Sequence, residues 1–243
     1  MSKILSQEEI DALLTSSADI ERTARAENAT RARDAVIVYN FRRPDRVSKD
    51  QIRSLQIMHD RFARNATTSL SAFLRTTTEL AIVSVEQFAY SEFLMALPDP
   101  TAFYAVSMRP FDTLGAIEMN PSVAFAVIDR LLGGSGDSPT PQRALTEIEQ
   151  NIVDSVIRLL LEHLTETWKT VTEVQFQVHA RETRPQMLQV ASWNEVVILL
   201  ACDLRVGETR GLLNVCIPAT VIESTGTSFV QSWQQTRRER TPT

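Results

Sequence analysis

The feature that most constrains the fold is an order of elements that occurs twice at a nearly constant spacing. Ser48 and Thr146 each open a capping box at the start of a long amphipathic helix, and they lie 98 positions apart. Pro121 and Pro218, which each start a shorter helix, lie 97 positions apart. Between them, both halves have a predicted strand, a connector and two further strands. The sequence therefore predicts two structural repeats with approximate two-fold symmetry.

The expected fold class is α/β, with a mixed β-sheet covered by helices on both faces (an α/β/α sandwich) and a tethered helix before it. The predicted organisation is an N-terminal helix within residues 1–16, a linker over 17–35, a domain over 36–224 with repeats at about 48–132 and 146–224, and a tail or linker over 225–243. The expected strands cover 36–41, 80–88, 102–108, 114–119, 174–180, 196–206 and 212–217, with a turn at 207–211. In the first long helix, which is expected to end near Arg75, Phe73 is placed on the buried side.

Composition restricts the classes of function. The net charge of −5 and the pI near 5.4 argue against non-specific nucleic-acid binding, which requires a basic surplus on one face. Two local arginine clusters are expected to be solvated or to pair with Asp45 and Glu239 rather than to bind phosphates; they are Arg42, Arg43 and Arg46, and Arg237, Arg238 and Arg240 in the tail. The longest apolar run is too short to span a bilayer and the start is not a signal peptide, so we expect membrane association only through partners.

Signals for catalysis or a cofactor are missing from the sequence. His59, His163 and His179 lie on separate elements without metal-ligand spacing, and there is no nucleophile elbow or dinucleotide fingerprint. Cys202 and Cys216 fall in apolar strands and are expected to be reduced core thiols. The sequence thus supports neither an enzyme nor a cofactor.

Residues 4–14 predict a short helix with an unusually complete start. Ser6 is the expected N-cap and Glu9 completes its capping box. The helix is too short to be stable alone, so its narrow apolar stripe requires something to dock on. Either this protein's own core or the groove of a partner would serve. The charged, aliphatic-poor stretch over 16–35 favours the partner, since a helix on a tether can fold as it binds.

Residues 129–136, DRLLGGSG, place three of the seven glycines of the chain within four positions. One reading is a helix C-cap at Gly133 followed by a connector. The other is a recognition loop, because a single glycine would satisfy a C-cap. A phosphate-binding loop fits this stretch badly, because the required lysine and glycine spacing are absent. Both remaining readings stay open on the residues alone.

The stretches LSQEEIDALL, YNFRRPDRVSKDQIRSLQ and DRLLGGSG followed by LTEIEQNI resemble the FliM family of bacterial flagellar motor switch proteins. The resemblance covers residues 2 to about 224 and implies a non-enzymatic subunit of the cytoplasmic ring, peripheral to the inner membrane, that sets the direction of flagellar rotation in chemotaxis. It implies that the N-terminal segment binds phosphorylated CheY, that the glycine loop contacts FliG, and that neighbouring FliM subunits pack side by side. The implied CheY-binding residues are Leu5, Ser6, Glu8, Glu9, Ile10, Asp11, Leu13 and Leu14. The implied FliG-binding residues are Asp129, Arg130, Leu132, Gly133, Gly134, Ser135 and Gly136.

The resemblance also supplies two alternatives, because the middle domain is similar to CheC-type phosphatases. These phosphatases carry a Glu-x-x-Asn pair on each long helix, but in this sequence no Glu is followed by Asn three positions later. Ile57 with Asp60, and Ser155 with Arg158, occupy the approximate places of the two pairs. A purely structural ring subunit is the other alternative. Family members continue into a C-terminal domain that joins FliN, and since this sequence stops at Thr243, FliN binding is not carried over.

Overall fold

The computed structural model describes residues 46–137 and 139–226. The predicted N-terminal helix, the linker, the strand over 36–41 and the tail from residue 227 onward lie outside these ranges. The helices are α1 (Lys49–Leu74), α2 (Tyr90–Ala96), α3 (Pro121–Leu131), α4 (Glu147–Trp168) and α5 (Ala219–Ser224), with a 3₁₀ turn at Pro185–Met187. The strands are β1 (Thr78–Ala89), β2 (Ala102–Arg109), β3 (Leu114–Met119), β4 (Gln175–Glu182), β5 (Val196–Val206) and β6 (Thr209–Pro218).

The described strands form one six-stranded sheet in the order β1-β5-β6-β3-β2-β4. Exchanging each strand of the first repeat for its counterpart in the second gives the same order read backwards, as the predicted two-fold symmetry requires. All the pairings are antiparallel. The prediction of a mixed sheet is therefore wrong, although the α/β class is confirmed. A two-fold axis normal to the sheet passes between β3 and β6, and such an axis makes that central pair antiparallel.

The two faces of the sheet have cores of unequal size. Alternate residues of each strand point to opposite faces, so Tyr104 and Val106 of β2 join the larger core under α1, α3, α4 and α5. Phe103 and Ala105 point the other way, into a smaller core covered by α2 and the segment around Val190. Both faces of the sheet are therefore covered, and the longest helices lie on one of them.

The helix starts follow the predicted chemistry. At α1 and α4 the capping boxes of Ser48 and Thr146 are both formed, and Asn120 accepts a hydrogen bond from Ser122 N at the start of α3, with Pro121 in the first turn. Side-chain oxygens thus satisfy amide groups that the first helical turn leaves without partners.

Three local predictions are wrong. Phe73 is 43% exposed, because the last turn of α1 faces β1 through Ser71 and directs Phe73 away from it. The turn between β5 and β6 contains two residues rather than five. Gly211 lies within β6, where an added Cβ would approach Val123 Cγ2 to 2.7 Å. Arg46 pairs through two nitrogens with Glu223 rather than with a sequence neighbour, because α5 ends beside the start of α1.

Candidate functional site

The glycine loop follows α3 and has the geometry of a Schellman motif. Gly133 has φ +95°, and its amide donates to Arg130 O at 3.1 Å. The amide of Gly134 donates to Asp129 O at 2.8 Å. This pair of bonds satisfies carbonyl groups at the end of the helix and requires the left-handed backbone that glycine adopts without strain. Gly133 is therefore a helix cap, as one of the two readings of the sequence expected.

The other two glycines of the loop are explained by contacts with Asp129 and Arg130. An added Cβ on Gly134 would lie within 2.4 Å of the Asp129 carboxylate, which accepts a 2.7 Å hydrogen bond from the amide of Gly136. Gly136 has φ +85°, and its Cβ would lie 2.9 Å from Arg130 Cδ. The sequence GGSG thus lets the loop fold back on the last turn of α3, and a single helix-capping glycine would not permit this.

The guanidinium of Arg130 joins the loop to the end of α1. It donates to Gly134 O at 3.0 Å on one side, and to Arg75 O at 2.6 Å on the other. From the start of β6, Thr209 donates its hydroxyl to Gly136 O at 3.0 Å. Two segments distant in sequence, the end of α1 and the start of β6, therefore hold the loop in place together with Arg130 of α3. Sequence reasoning missed Arg75 and Thr209, because no local pattern marks a contact between elements that are far apart along the chain.

Exposure divides the seven predicted loop residues into two groups. Leu132 is 72% exposed, and Gly133 and Ser135 are also exposed. The remaining four are buried or half-buried and hold the loop internally; they are Asp129, Arg130, Gly134 and Gly136. The tip of the loop therefore exposes one apolar side chain and backbone groups, and contacts of the four less exposed residues fix its conformation. The predicted regulator-binding residues, Leu5 to Leu14, lie outside the described ranges.

The places of the two phosphatase pairs do not hold the groups that such a reaction requires. Ile57 is 42% exposed and has no ionisable group, and the hydroxyl of Ser155 donates to Ile152 O of its own helix at 2.6 Å. At the first turn of α4, the Gln150 amide donates to Leu145 O at 3.2 Å. Neither of the two places, Ile57 with Asp60 or Ser155 with Arg158, therefore combines a carboxylate that could hold a lysine with an amide that could orient a water molecule.

The cysteines are buried and the described histidines, cysteines and carboxylates do not cluster. No group of three or more His, Cys, Asp or Glu residues in those ranges could hold a metal ion. Cys202 and Cys216 are buried and free, as predicted, and burial raises the pKa of the Cys202 thiol to about 12. Among the same residues, no helix is long and apolar enough to cross a bilayer.

A polar cluster that the sequence did not reveal lies at the centre of the sheet. The Glu118 side chain of β3 is buried and accepts hydrogen bonds from the Thr101 hydroxyl at 2.5 Å and the Asn214 amide of β6 at 2.7 Å. Burial raises the pKa of this carboxyl group, although both hydrogen bonds oppose the shift. No cation lies among these contacts, and the cluster pins β3 to β6.

Comparison with known proteins places these features in a family. The chain matches the family model described as flagellar motor switch protein FliM over residues 48–233. It is 41% identical over 226 residues to the flagellar motor switch protein FliM of Treponema pallidum, a match that covers 92% of this chain and 65% of that protein. The chain therefore spans just under two thirds of the length of this relative.

Solved structures give the same result. A chain in the crystal structure of the FliG–FliM complex from H. pylori is 40% identical with a TM-score of 0.69, and the match covers 71% of this chain and 94% of that chain. The crystal structure of the FliM middle domain from H. pylori is 38% identical with a TM-score of 0.69, covering 75% of this chain and 99% of that chain. The family model and the relatives both cover most of the sequence. The chain belongs to the FliM family of flagellar motor switch proteins.

Proposed function

We propose that this chain is a subunit of the flagellar motor switch, in the ring at the cytoplasmic face of the inner membrane, and that it helps to set the direction of rotation. The observation that carries the proposal is the glycine loop, whose tip is exposed while its base is bonded to α1, α3 and the start of β6. Rigid presentation of a short motif is typical of a recognition loop. Membership of the FliM family supports the same role.

In this proposal the partner of the loop is FliG. The H. pylori relative whose structure was solved as a FliG–FliM complex is 40% identical to this chain, which supports the assignment. Leu132, Gly133 and Ser135 are the contact residues, because they are the exposed members of the loop. Asp129 and Arg130 act indirectly, by fixing the shape of the tip.

The second proposed partner is phosphorylated CheY, bound by the segment from Leu5 to Leu14. Its support is in the sequence: an apolar stripe of Ile10, Leu13 and Leu14, beside acidic residues, on a segment joined to the domain by a charged tether. Binding there would raise the local concentration of the regulator near the middle domain. A ring subunit without regulation would have no use for this segment.

We propose no catalytic step for the chain. The places of the two phosphatase pairs do not combine a carboxylate with an amide. Glu147 and Gln150, which come nearest to such a pair in sequence, lie in the first turn of α4, where Gln150 donates to Leu145 O. Neighbouring copies of the chain in the ring are the remaining proposed partners.

The experiment compares FliG binding by the full chain and by Leu132→Glu, using isothermal titration calorimetry. A charge at the exposed tip should weaken FliG binding at least tenfold, about 1.4 kcal/mol, with an unchanged melting temperature. Met95→Glu is the matched control, because Met95 is 77% exposed on α2, across the sheet from the loop. Wild-type affinity for Leu132→Glu, or an equal loss for Met95→Glu, would contradict the assignment of the loop.

A further inference from the structure

The two edges of the sheet are treated differently by the helices that lie beside them. An edge strand exposes unpaired backbone groups, which proteins usually cover. At the β1 edge, the Thr67 hydroxyl of α1 accepts from Leu80 N at 2.9 Å, and the Ser71 hydroxyl accepts from Thr78 N at 3.1 Å. Both hydroxyls also donate to the carbonyl of the same residue. Helix α1 therefore closes the first half of the β1 edge.

The β4 edge has the corresponding residues in a different register. Thr165 and Phe176 lie 98 positions after Thr67 and Thr78, and the Thr165 hydroxyl accepts from Phe176 N at 3.3 Å. In the first repeat the equivalent threonine, Thr67, hydrogen-bonds to Leu80, which lies two positions further along the strand than Thr78. The residue of the second repeat that corresponds to Leu80 is Val178. Lys169 replaces the serine and pairs with Glu166 on its own helix. Compared with α1 on β1, α4 is therefore displaced along β4 by two residues.

This displacement leaves backbone of β4 uncovered. The amide of Val178 points to the same edge as that of Phe176, because edge-facing groups recur every two residues. Among the described residues, no side chain hydrogen-bonds to the backbone of Val178 as Thr67 does to Leu80. The bulge at His179 ends the regular edge, so the accessible stretch is short.

A groove runs along this open edge between β4 and α4. Its volume is about 780 Å³. Its lining includes Arg158, Leu161, Glu162, Thr165, Phe176 and Val178. The apolar residues come from both elements, Leu161 from α4 and Phe176 and Val178 from β4, and the charged residues belong to α4. A groove of this shape beside an open strand edge suits one added strand with apolar side chains.

The chain itself contains a segment with the required properties. Residues 36–41, VIVYNF, are rich in β-branched and aromatic residues and predict a strand that the described sheet does not contain. Arg42 and Arg43 follow this strand. In an antiparallel arrangement they would lie near the start of β4, beside Glu173. Opposite charges therefore favour that direction.

The donor must be another copy, because the segment cannot reach β4 of its own chain. Val47 is held near the opposite edge by two hydrogen bonds with the Gln87 side chain of β1. From there to β4 is five strand spacings, about 24 Å. Six residues of fully extended chain from Val47 to Phe41 span at most about 21 Å, and the direct path is filled by α1 and α4. We propose that the open edge of β4 binds residues 36–41 of a second copy of this chain as an added antiparallel strand.

The test uses photo-cross-linking of the full chain. Val38→Cys is labelled with a maleimide–benzophenone probe and mixed with an equal amount of ¹⁵N-labelled wild-type chain before irradiation. Cys202 and Cys216 are fully buried and should not take up the probe. Peptide mass spectrometry then shows which chain and which segment carry the cross-link. The expected product joins the probe to ¹⁵N-labelled peptides from residues 158–182, at least tenfold more often than the same probe placed at Ala24→Cys.

Three results would overturn the proposal. Cross-links confined to the unlabelled chain would show that the segment packs on its own domain. Cross-links to ¹⁵N-labelled peptides of β1, or equal yields from both probe positions, would show no preference for β4. Loss of the product on adding FliG or CheY, with a new cross-link to that protein in the groove, would identify a different occupant. None of these results bears on whether the glycine loop binds FliG, which is tested separately by Leu132→Glu.

Discussion

His59 lies at the contact between the two long helices, and its neighbours select one protonation state. Its Nδ1 lies 2.8 Å from Leu55 O of the same helix, and its Nε2 accepts a hydrogen bond from the Trp168 indole N–H at 3.3 Å. The ring must therefore be neutral, with its proton on Nδ1. Complete burial lowers the pKa of His59 to about 4, because a charged imidazole would lose its hydration.

This environment makes the stability of the protein depend on pH. The unfolded chain takes up a proton near pH 6.5 and the folded chain only near pH 4, so the contribution of His59 is complete above pH 6.5 and is lost as the pH falls towards 4. Over that window the loss should approach about 3 kcal/mol. Urea unfolding at a series of pH values should show this slope in the wild type and a clearly smaller slope in His59→Gln, which can make both hydrogen bonds without titrating. Equal slopes would contradict the assigned environment.

At the scale of elements, the central strand pair β3·β6 combines symmetry with a buried acid. Glu118 and Asn214 are directly opposite in the register, and their side chains hydrogen-bond on the face of the sheet that carries the smaller core. The raised pKa of Glu118 means that its folded form holds a proton more tightly than its unfolded form. Stabilisation from this proton is complete below pH 4.5 and is lost as the pH rises through the folded pKa.

Glu118→Gln should therefore stabilise the protein at alkaline pH, because the charged form of the buried carboxyl group is unfavourable there. The glutamine can accept from Asn214 and donate to Thr101, whose hydroxyl also lies 3.1 Å from Met119 O as a second acceptor. Chemical denaturation at pH 5 and pH 8 measures the effect, which should be larger at pH 8. Thr101→Val is the comparison variant, since it removes a hydrogen-bond donor from Glu118 and should destabilise. A large loss of stability in Glu118→Gln at pH 8 would contradict the conclusion that the charged form of Glu118 is unfavourable in the folded protein.

The elements were largely predictable because their signals are local. The caps at Ser48, Thr146 and Asn120 each depend on residues within three positions, and the structure forms all of them. The order of strands in the sheet depends on pairings between distant residues, so the sequence supported only the two-fold symmetry. Glu118 could not be identified as buried, because its donors Thr101 and Asn214 are 17 and 96 positions away.

The candidate site was predictable to a similar extent. The concentration of glycine at 133–136 marked the loop correctly as a place with special backbone conformation, and the positive φ of Gly133 and Gly136 has that character. Only the structure shows which residues of the loop are exposed and which fix its conformation. Arg130 bonds to the end of α1 and Thr209 bonds to Gly136, and neither contact has a local signal.

At the scale of the whole molecule, the two repeats share one core. The larger hydrophobic cluster contains Leu55 and Leu70 from the first repeat together with Ile157 and Trp168 from the second. The central contact of the sheet also joins the repeats through β3 and β6. Neither repeat can bury its apolar surface without the other, so the domain should unfold as a single cooperative unit.

Trp168 can report this cooperativity, because it is fully buried against His59 of the other repeat. In a Trp193→Phe, Trp233→Phe background it is the sole tryptophan of the chain. Urea unfolding followed by its fluorescence should coincide with unfolding followed by far-ultraviolet circular dichroism. Separate midpoints for the two signals would mean that one repeat remains folded after the other has unfolded.

We propose that capture of phosphorylated CheY by the segment from Leu5 to Leu14 changes how the glycine loop holds FliG. The most direct test measures the affinity of the full chain for FliG in the presence of unphosphorylated and phosphorylated CheY. A switch subunit should show at least a fivefold difference in FliG affinity between the two conditions, about 1 kcal/mol of coupling. The difference should vanish in Leu13→Ala, Leu14→Ala, which removes the apolar contact of the N-terminal segment. An unchanged FliG affinity in the wild type, at concentrations where phosphorylated CheY is bound, would show that the two sites are independent.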